Sequence, residues 1–247
     1  MQDPATLAIV ALTFLLAGLV KGVIGLGLPT IGLALLTAAL GLPQAMALLL
    51  APSLVTNLWQ AAAGGHGRAI VARLWPFLAM AGGTVWLGAE ALARVDLALL
   101  SALLGLLLVV YSLASLSGVQ FTVRRGQERW LGPLLGTMNG VLTGMTGSFV
   151  VPGVLYLQAL GLPRDMLVQA MGLLFTVSTA ALALALGGHG LLSAELGLVS
   201  GAAVAPAVLG MALGQRLRRG LPERRFRPVF FAALLALGAW IMVRSLL

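Results

Sequence analysis

Apolar stretches fill this chain almost from end to end, at 5–40, 44–63, 70–93, 96–117, 130–160, 165–186, 192–217 and 226–247. Most have the length of one membrane crossing, since about 20 apolar residues in a helix traverse a hydrocarbon core of about 30 Å. Charged residues make up only 9% of the chain, whereas a soluble globule needs roughly 25% to cover its surface. The chain therefore belongs in a bilayer. Its 247 residues accommodate on the order of ten crossing or entering segments and leave no room for a separate soluble catalytic domain. With Cys 0 and His 2, disulfides, thiolate metal sites, cysteine nucleophiles and a His-rich metal centre are excluded, and no cofactor or metal is expected. The net charge of +8 reads as a topology signal carried by cytoplasmic loops, and no nucleic-acid partner is expected. Met1-Gln2-Asp3-Pro4 carries no positive charge and no small-residue cleavage site follows, so no cleaved signal peptide is expected.

Two of the stretches, 5–40 and 130–160, are too long for one crossing, because 35 residues of unbroken helix extend more than about 50 Å. Each is broken by glycine and proline and must fold back on itself. They begin two similar halves. Gly64-Gly65-His66-Gly67 recurs as Gly187-Gly188-His189-Gly190, 123 positions on; Gly22 and Gly25 recur as Gly144 and Gly147, and Gly41-Leu42-Pro43 as Gly161-Leu162-Pro163. The repeated tetrapeptide uses both histidines of the chain, so duplication accounts for it better than the abundance of glycine. The sequence thus predicts an all-α polytopic membrane protein of two repeats, 1–117 and 130–247, joined by a basic linker at 118–129. Each repeat is a Gly/Pro-interrupted helical hairpin followed by three transmembrane helices.

A hairpin has both ends on one side, so each repeat crosses an odd number of times and the second comes out inverted. Charge gives a separate test. Arg124, Arg125 and Arg129 in the linker, and Arg216, Arg218, Arg219, Arg224, Arg225 and Arg227 in 216–227, place both segments in the cytoplasm. Counting crossings from the linker puts Arg68 and Arg73 inside and Arg94, Asp96, the second tetrapeptide and both chain ends outside. The two copies of one motif then face opposite sides, as inverted repeats require.

In inverted-repeat transporters, interrupted helices expose backbone amides and half-helix dipoles deep in the bilayer, where they hold the substrate. The first interruption here contains Lys21, Gly22, Gly25, Gly27 and Pro29; the second contains Asn139, Thr143, Gly144, Thr146, Gly147, Ser148 and Pro152. Glycines before a proline that restarts a helix suit an anion, since they let the chain turn and let a ligand reach the amides. Small-xxx-small packing fits Gly18 with Gly22 and Gly140 with Gly144 equally well, so both readings stand. Lys21, the only lysine, either complements an anion or snorkels to the interface. Thr143, Thr146 and Ser148 either donate to substrate or bond back to their own helix, and Asn57, Gln60 and Asn139 either tie helices together or contact substrate. His66 and His189 are read as loop residues at opposite surfaces. Glu90, near a span end, is the most deeply placed acid and offers a route to proton coupling.

Lys21-Gly22-Val23-Ile24-Gly25-Leu26-Gly27-Leu28-Pro29, its counterpart Thr143-Gly144-Met145-Thr146-Gly147-Ser148, the basic central linker and the two G-L-P turns resemble the sulfite exporter TauE/SafE family, also called the toluene sulfonate uptake permease family. The resemblance runs over essentially the whole chain. It implies secondary transport of sulfite, organosulfonates or related sulfur oxyanions, and of other small organic acids in some members. Phe149 stands where the first copy has Gly27, a departure that makes the halves unequal. The leading reading is an inner-membrane permease of bacterial type, not an enzyme, that moves a small anion by alternating access. Its candidate substrate-binding residues are Lys21, Gly22, Gly25, Gly27, Pro29, Asn57, Asn139, Thr143, Gly144, Thr146, Gly147 and Ser148. Its partners are the anion and the lipid bilayer, with the coupling ion (H+ or Na+) and a homodimer left open. A passive channel and an intramembrane hydrolase built on Ser148 and His189 are the competing readings; no full G-x-S-x-G is present.

Overall fold

A computed structural model describes residues 3–118, 121–218 and 223–247, with the side chains of 223–225 left out. The expectations placed on Met1 and Gln2, on Val119 and Gln120 near the start of the linker, and on Arg219 and the side chains of Arg224 and Arg225 fall outside the described residues. Among the described residues all regular structure is helical, in the order α1 (Pro4–Ile24), α2 (Leu28–Leu40), α3 (Leu42–Ala62), α4 (Gly67–Gly83), α5 (Val85–Arg94), α6 (Leu97–Leu116), α7 (Glu128–Thr146), α8 (Gly153–Ala159), α9 (Arg164–Gly188), α10 (Ala194–Ala202), α11 (Val204–Leu217) and α12 (Glu223–Leu246). Seven helical segments are long and apolar enough to cross a membrane, counting α4 with α5 and α10 with α11 as one each.

The order of elements repeats: a hairpin, a long helix, a helix broken once, and a final helix. Both long opening stretches fold back. The hairpins are unequal, for α2 has 13 residues and α8 only 7, so the second returning arm, at about 10 Å, re-enters without crossing. Two of the three-span expectations gain a break. The stretch expected at 70–93 is broken at Thr84, whose hydroxyl lies 2.7 Å from the Met80 carbonyl and 3.0 Å from that of Thr137; the stretch at 192–217 is broken at Ala203.

The halves interlock. α1 packs along α11, α7 along α4 and α5, α3 against α9, and α6 against α12. Gly22 meets α11 so closely that a Cβ there would lie 2.8 Å from the Gly214 Cα, and one on Gly144 would lie 2.7 Å from the Gly88 Cα of α5. Gly18 likewise faces Ala207 and Met211, while Gly140 faces Met80, Ala81 and Thr84. These contacts correspond between halves, because Gly18, Gly22, Val85, Gly88 and Ala89 each have their counterpart 122 positions on, at Gly140, Gly144, Ala207, Gly210 and Met211. The small-residue reading therefore describes Gly22 and Gly144: their lack of a side chain brings two backbones together.

Pro52 inside α3 cannot donate to the Leu48 carbonyl one turn back. Ser200 of α10 supplies the missing donor, with its Oγ 2.9 Å from that carbonyl, and accepts from the Ala51 N–H at 3.1 Å. A polar atom buried in an apolar environment costs free energy unless it is paired, so this bond fixes α10 on α3.

Charges separate toward the two ends of the bundle. At one end the His66 N–H donates to Gln169 Oε1 (2.8 Å), Arg73 forms a two-pronged pair with Glu128, and the Val123 N–H in the linker reaches the Ala159 carbonyl (2.8 Å). Arg164 and Arg227 line one cavity at this same end. At the other end Glu90 pairs with Arg94 and lies 3.5 Å from His189 Nε2, while the end of α2 lies beside Ser101 and Arg244. The described parts of the segments 118–129 and 216–227, both expected to be cytoplasmic, accordingly share an end with the His66 loop, and the His189 loop sits opposite.

Candidate functional site

Lys21 lies one turn before the end of α1, where Gly25 takes a left-handed conformation (φ 77°) and its N–H closes the helix on the Lys21 carbonyl at 2.8 Å. Gly27 precedes the restart, and Pro29 enters α2 in its first turn, where an N–H is not needed. The interruption thus turns the chain and leaves Lys21 pointing toward α3. Its side chain is 3% exposed, the one charged residue among the buried polar residues of the described chain. It does not snorkel to an interface. Nζ donates to Asn57 Oδ1 and to Thr56 Oγ1 (3.2 Å), neutral acceptors that meet two of its three N–H groups.

Thr56 keeps its own hydrogen on the Pro52 carbonyl (2.8 Å), which leaves a lone pair for the ammonium. Asn57, fully buried, accepts from Lys21 through Oδ1 while its Nδ2 has no partner among the described residues. Gln60 Nε2 reaches across the interruption to the Gly25 carbonyl (3.2 Å) and the Val168 carbonyl of α9 (2.8 Å), and its Oε1 is buried with no donor among the described residues. Gln169 returns the tie by donating to the Ala61 carbonyl at 2.7 Å. Ser53, Thr56, Asn57 and Gln60 fall at i, i+3, i+4 and i+7, so one face of α3 is a buried polar stripe running past Lys21. Asn57 and Gln60 are flagged by residue type alone. Ser53 and Thr56 are found only by applying helical periodicity to polar residues as well as apolar ones.

The second interruption has a similar backbone and a different lining. Gly147 (φ 73°) closes α7 on the Thr143 carbonyl at 2.7 Å, and residues 148–152 run without helix to α8. Its hydroxyls serve the local chain: Thr143 donates to the Ser148 carbonyl (3.0 Å), and Thr146 donates to the Leu142 carbonyl (2.7 Å) while accepting the Ser148 N–H (3.2 Å). Asn139 Oδ1 accepts the Gly153 N–H at 2.9 Å and holds the start of α8, with its Nδ2 buried and unpartnered among the described residues. Counterparts 122 positions beyond Lys21, Thr56 and Asn57 are Thr143, Ser178 and Thr179, so this half carries hydroxyls and no charge. Phe149, counterpart of Gly27, is buried and packs on Phe175 at 5.9 Å between ring centroids.

The two interruptions do not meet. The first touches α3 at Gln60; the second touches it at Met46, whose Cγ would lie 2.8 Å from a Cβ on Gly147. Fourteen residues of helix separate those contacts, or about 20 Å. Lys21, Asn57, Gly25 and Gly27 therefore form one group toward the basic end, and Asn139, Thr143, Thr146, Gly147 and Ser148 a second group nearer the opposite end. A cavity of about 310 Å³, lined by Ile24, Leu26, Gln158, Arg164, Val168 and Arg227, adjoins the first group at the basic end. Glu90 takes part in neither group; it is 40% exposed and paired with Arg94, near His189. His189 packs on Trp86 at 5.2 Å between ring centroids, so the structure joins it to α5.

A many-helix bundle that interrupts two helices and aims a buried cation and orphaned amide groups at one of the breaks has the architecture of a membrane transporter. The chain belongs to the sulfite exporter TauE/SafE family, which matches residues 10–241. It is thus a multi-pass membrane protein of a transporter family. No curated protein and no solved structure matches it significantly.

Proposed function

We propose that the chain carries small sulfur oxyanions, sulfite or organosulfonates, across a bacterial-type inner membrane by alternating access of two inverted repeats, with the basic end in the cytoplasm. One observation supports this most: Lys21 Nζ and Asn57 Nδ2 are buried donors side by side, with no carboxylate partner among the described residues. A buried ammonium facing only neutral acceptors is costly, and an oxyanion with several acceptor oxygens relieves both groups at once. The Gly25 turn borders the same place, and the basic cavity, lined by Ile24 and Leu26 on either side of that turn, adjoins it from one surface.

The test is ligand-dependent thermal stability of the purified protein with sulfite, thiosulfate, methanesulfonate, toluenesulfonate and small carboxylates, followed by flux into proteoliposomes. A ligand at a hundred times its Kd adds about 2.7 kcal/mol to stability. Saturable flux of a sulfur oxyanion, competed by its congeners, supports the reading. Stabilisation and flux by carboxylates alone would replace it with a carrier of organic acids, and flux that never saturates would replace it with a channel.

A further inference from the structure

We propose that the anion has a second, uncharged station halfway across the bundle, formed by the hydroxyls of Ser53, Ser178 and Thr179 with the amide groups of Asn57 and Asn139. This rests on the anion-carrying reading of the Lys21 site and names the next place at which the anion is held. All five residues are at most 1% exposed, and Ser53 Oγ, Ser178 Oγ, Thr179 Oγ1, Asn57 Nδ2 and Asn139 Nδ2 have no hydrogen-bond partner among the described residues. Neighbouring hydroxyls behave differently. Thr56 and Thr176 each donate to a carbonyl of their own helix at 2.8 Å, the ordinary resort of a hydroxyl in apolar surroundings.

Helical register brings these groups to one level. On α3, Met46, Ser53 and Gln60 recur every seven residues, two turns apart on one face. Met46 borders the second interruption and Gln60 the first, so Ser53 lies midway, about 10 Å from the level of each. α3 ends at the basic end, where α9 begins, and the two run antiparallel. Gly172 of α9 abuts Gln60, for a Cβ there would lie 2.8 Å from the Gln60 carbonyl carbon. Two turns further along α9, Thr179 therefore comes level with Ser53, two turns back along α3. Ser178 follows Leu174 by one turn, and Leu174 shares with Asn139 the space beside Gly153: a Cβ on Gly153 would lie 2.9 Å from Leu174 Cδ2 and 2.8 Å from Asn139 Cγ. Asn57 stands one turn from Ser53 and completes the set. Its Oδ1 faces Lys21 while its Nδ2 is unpaired, so it belongs to both stations.

The place is also a seam. α3 packs with α2, α10 and α11, whereas α9 packs with α4, α5 and α8, so the α3–α9 crossing joins two sets of helices, each drawn from both halves of the sequence. Movement of one set against the other parts this crossing. Unpaired polar groups make the closed seam costly, and the oxygens of a sulfite or sulfonate entering between them pair several donors at once. Lys21 holds the anion by charge; a neutral set beyond it receives the anion without trapping it, which is the condition for passage between successive sites.

The experiment compares Ser53→Ala, Ser178→Ala, Thr179→Val and the Ser53→Ala/Thr179→Val double variant with wild type. Melting temperature, equilibrium binding and maximal flux into proteoliposomes are measured with sulfite, thiosulfate and methanesulfonate. Removing a hydroxyl that has no partner leaves the packing intact, so Tm should hold or rise. Affinity should stay within about twofold of wild type while maximal flux falls about tenfold, the effect of one lost hydrogen bond on a rate. Thr179→Ser, which keeps the hydroxyl, should carry the anion at the wild-type rate. Unchanged flux in the double variant overturns the second station and leaves the Lys21 site standing. A fall in Tm or loss of folded protein in these variants overturns it too, because hydroxyls that hold the fold are ties between helices. Affinity lost in step with flux overturns it by making the hydroxyls part of the Lys21 site. Failure of wild type to bind or to carry any of the three anions overturns the carrier reading, and the station with it.

Discussion

At the scale of single residues, Lys21 is the position on which most depends. Its residue type was legible in the sequence as the only lysine beside a helix break, but its direction was not. A lysine near a helix end reaches water as readily as it turns inward, and only the packing of α3 onto α1 decides between them. If Lys21 and Asn57 hold the anion, Lys21→Gln should weaken binding by about 1–3 kcal/mol, the range of a charge-assisted hydrogen bond, or roughly 5- to 150-fold. Asn57→Ala should weaken it too, since it removes a donor and leaves the ammonium one acceptor short. Arg125→Gln in the exposed linker should leave affinity unchanged. Titrations at low ionic strength, where a charge contribution is largest, provide the comparison. Equal affinities for wild type and Lys21→Gln would move the anion contacts onto backbone amides or onto the second interruption. The hydroxyls there were legible as donors; their commitment to local carbonyls was not, because a serine or threonine in an apolar helix is as well served by its own backbone as by a ligand.

Among elements, the glycines divide into two kinds that look alike in the sequence. Gly22 and Gly144 sit where a Cβ would enter the backbone of α11 or α5, whereas Gly25 has left-handed backbone and only the Val168 methyl groups nearby, at 3.8 Å or more. Gly25→Ala should therefore cost about 1–2 kcal/mol, the strain of a side chain in that conformation, and yield a folded protein of lowered Tm. Gly25→Leu should fold and lose anion binding, because the larger side chain occupies the approach to the turn. Gly22→Leu and Gly144→Leu should fail earlier, with loss of monodisperse protein in detergent, since α1 and α11, or α7 and α5, cannot separate without opening the bundle. Size-exclusion profiles and melting curves distinguish these outcomes. A well-folded Gly22→Leu would show that the α1–α11 contact is looser than its geometry. Helix boundaries themselves were closely legible, because hydrophobic length and Gly-Pro punctuation are local signals. The breaks at Thr84 and Ala203 were not, although Gly82-Gly83 precede the one and Gly201 and Pro206 flank the other, since the apolar run continues through both and nearby bonds run to other helices.

Over the whole molecule, the repeat markers and the charge pattern can be compared with the distribution of chemistry between the two ends. All five tryptophans are substantially exposed; Trp59 and Trp130 lie near the basic end, Trp86 and Trp240 toward the other, as expected for side chains resting at the two interfaces of a bilayer. The pairing of the halves, α1 with α11 and α7 with α5, could not be read from one sequence, because it depends on contacts such as Gly22 with Gly214 and Gly88 with Gly144, far apart along the chain. Inversion makes a sharp prediction about sidedness. The chain has no cysteine, so a single introduced thiol reports one position without background. His66→Cys, in the first tetrapeptide, and Arg125→Cys, in the linker, are exposed at the basic end, and the carboxyl-terminal Leu247 is fully exposed beyond the end of α12. In cells, an impermeant maleimide should reach Leu247→Cys from outside and should label His66→Cys and Arg125→Cys only after the membrane is opened. The two tetrapeptide copies would then stand on opposite sides, because the His189 loop shares its end with Arg94 and Glu90, away from His66. Labelling of His66→Cys and Leu247→Cys from the same side would give the halves parallel orientation or an extra re-entrant turn. It would also remove the cytoplasmic assignment from the cavity beside Lys21, and with it the path by which an anion is taken to reach the site from that surface.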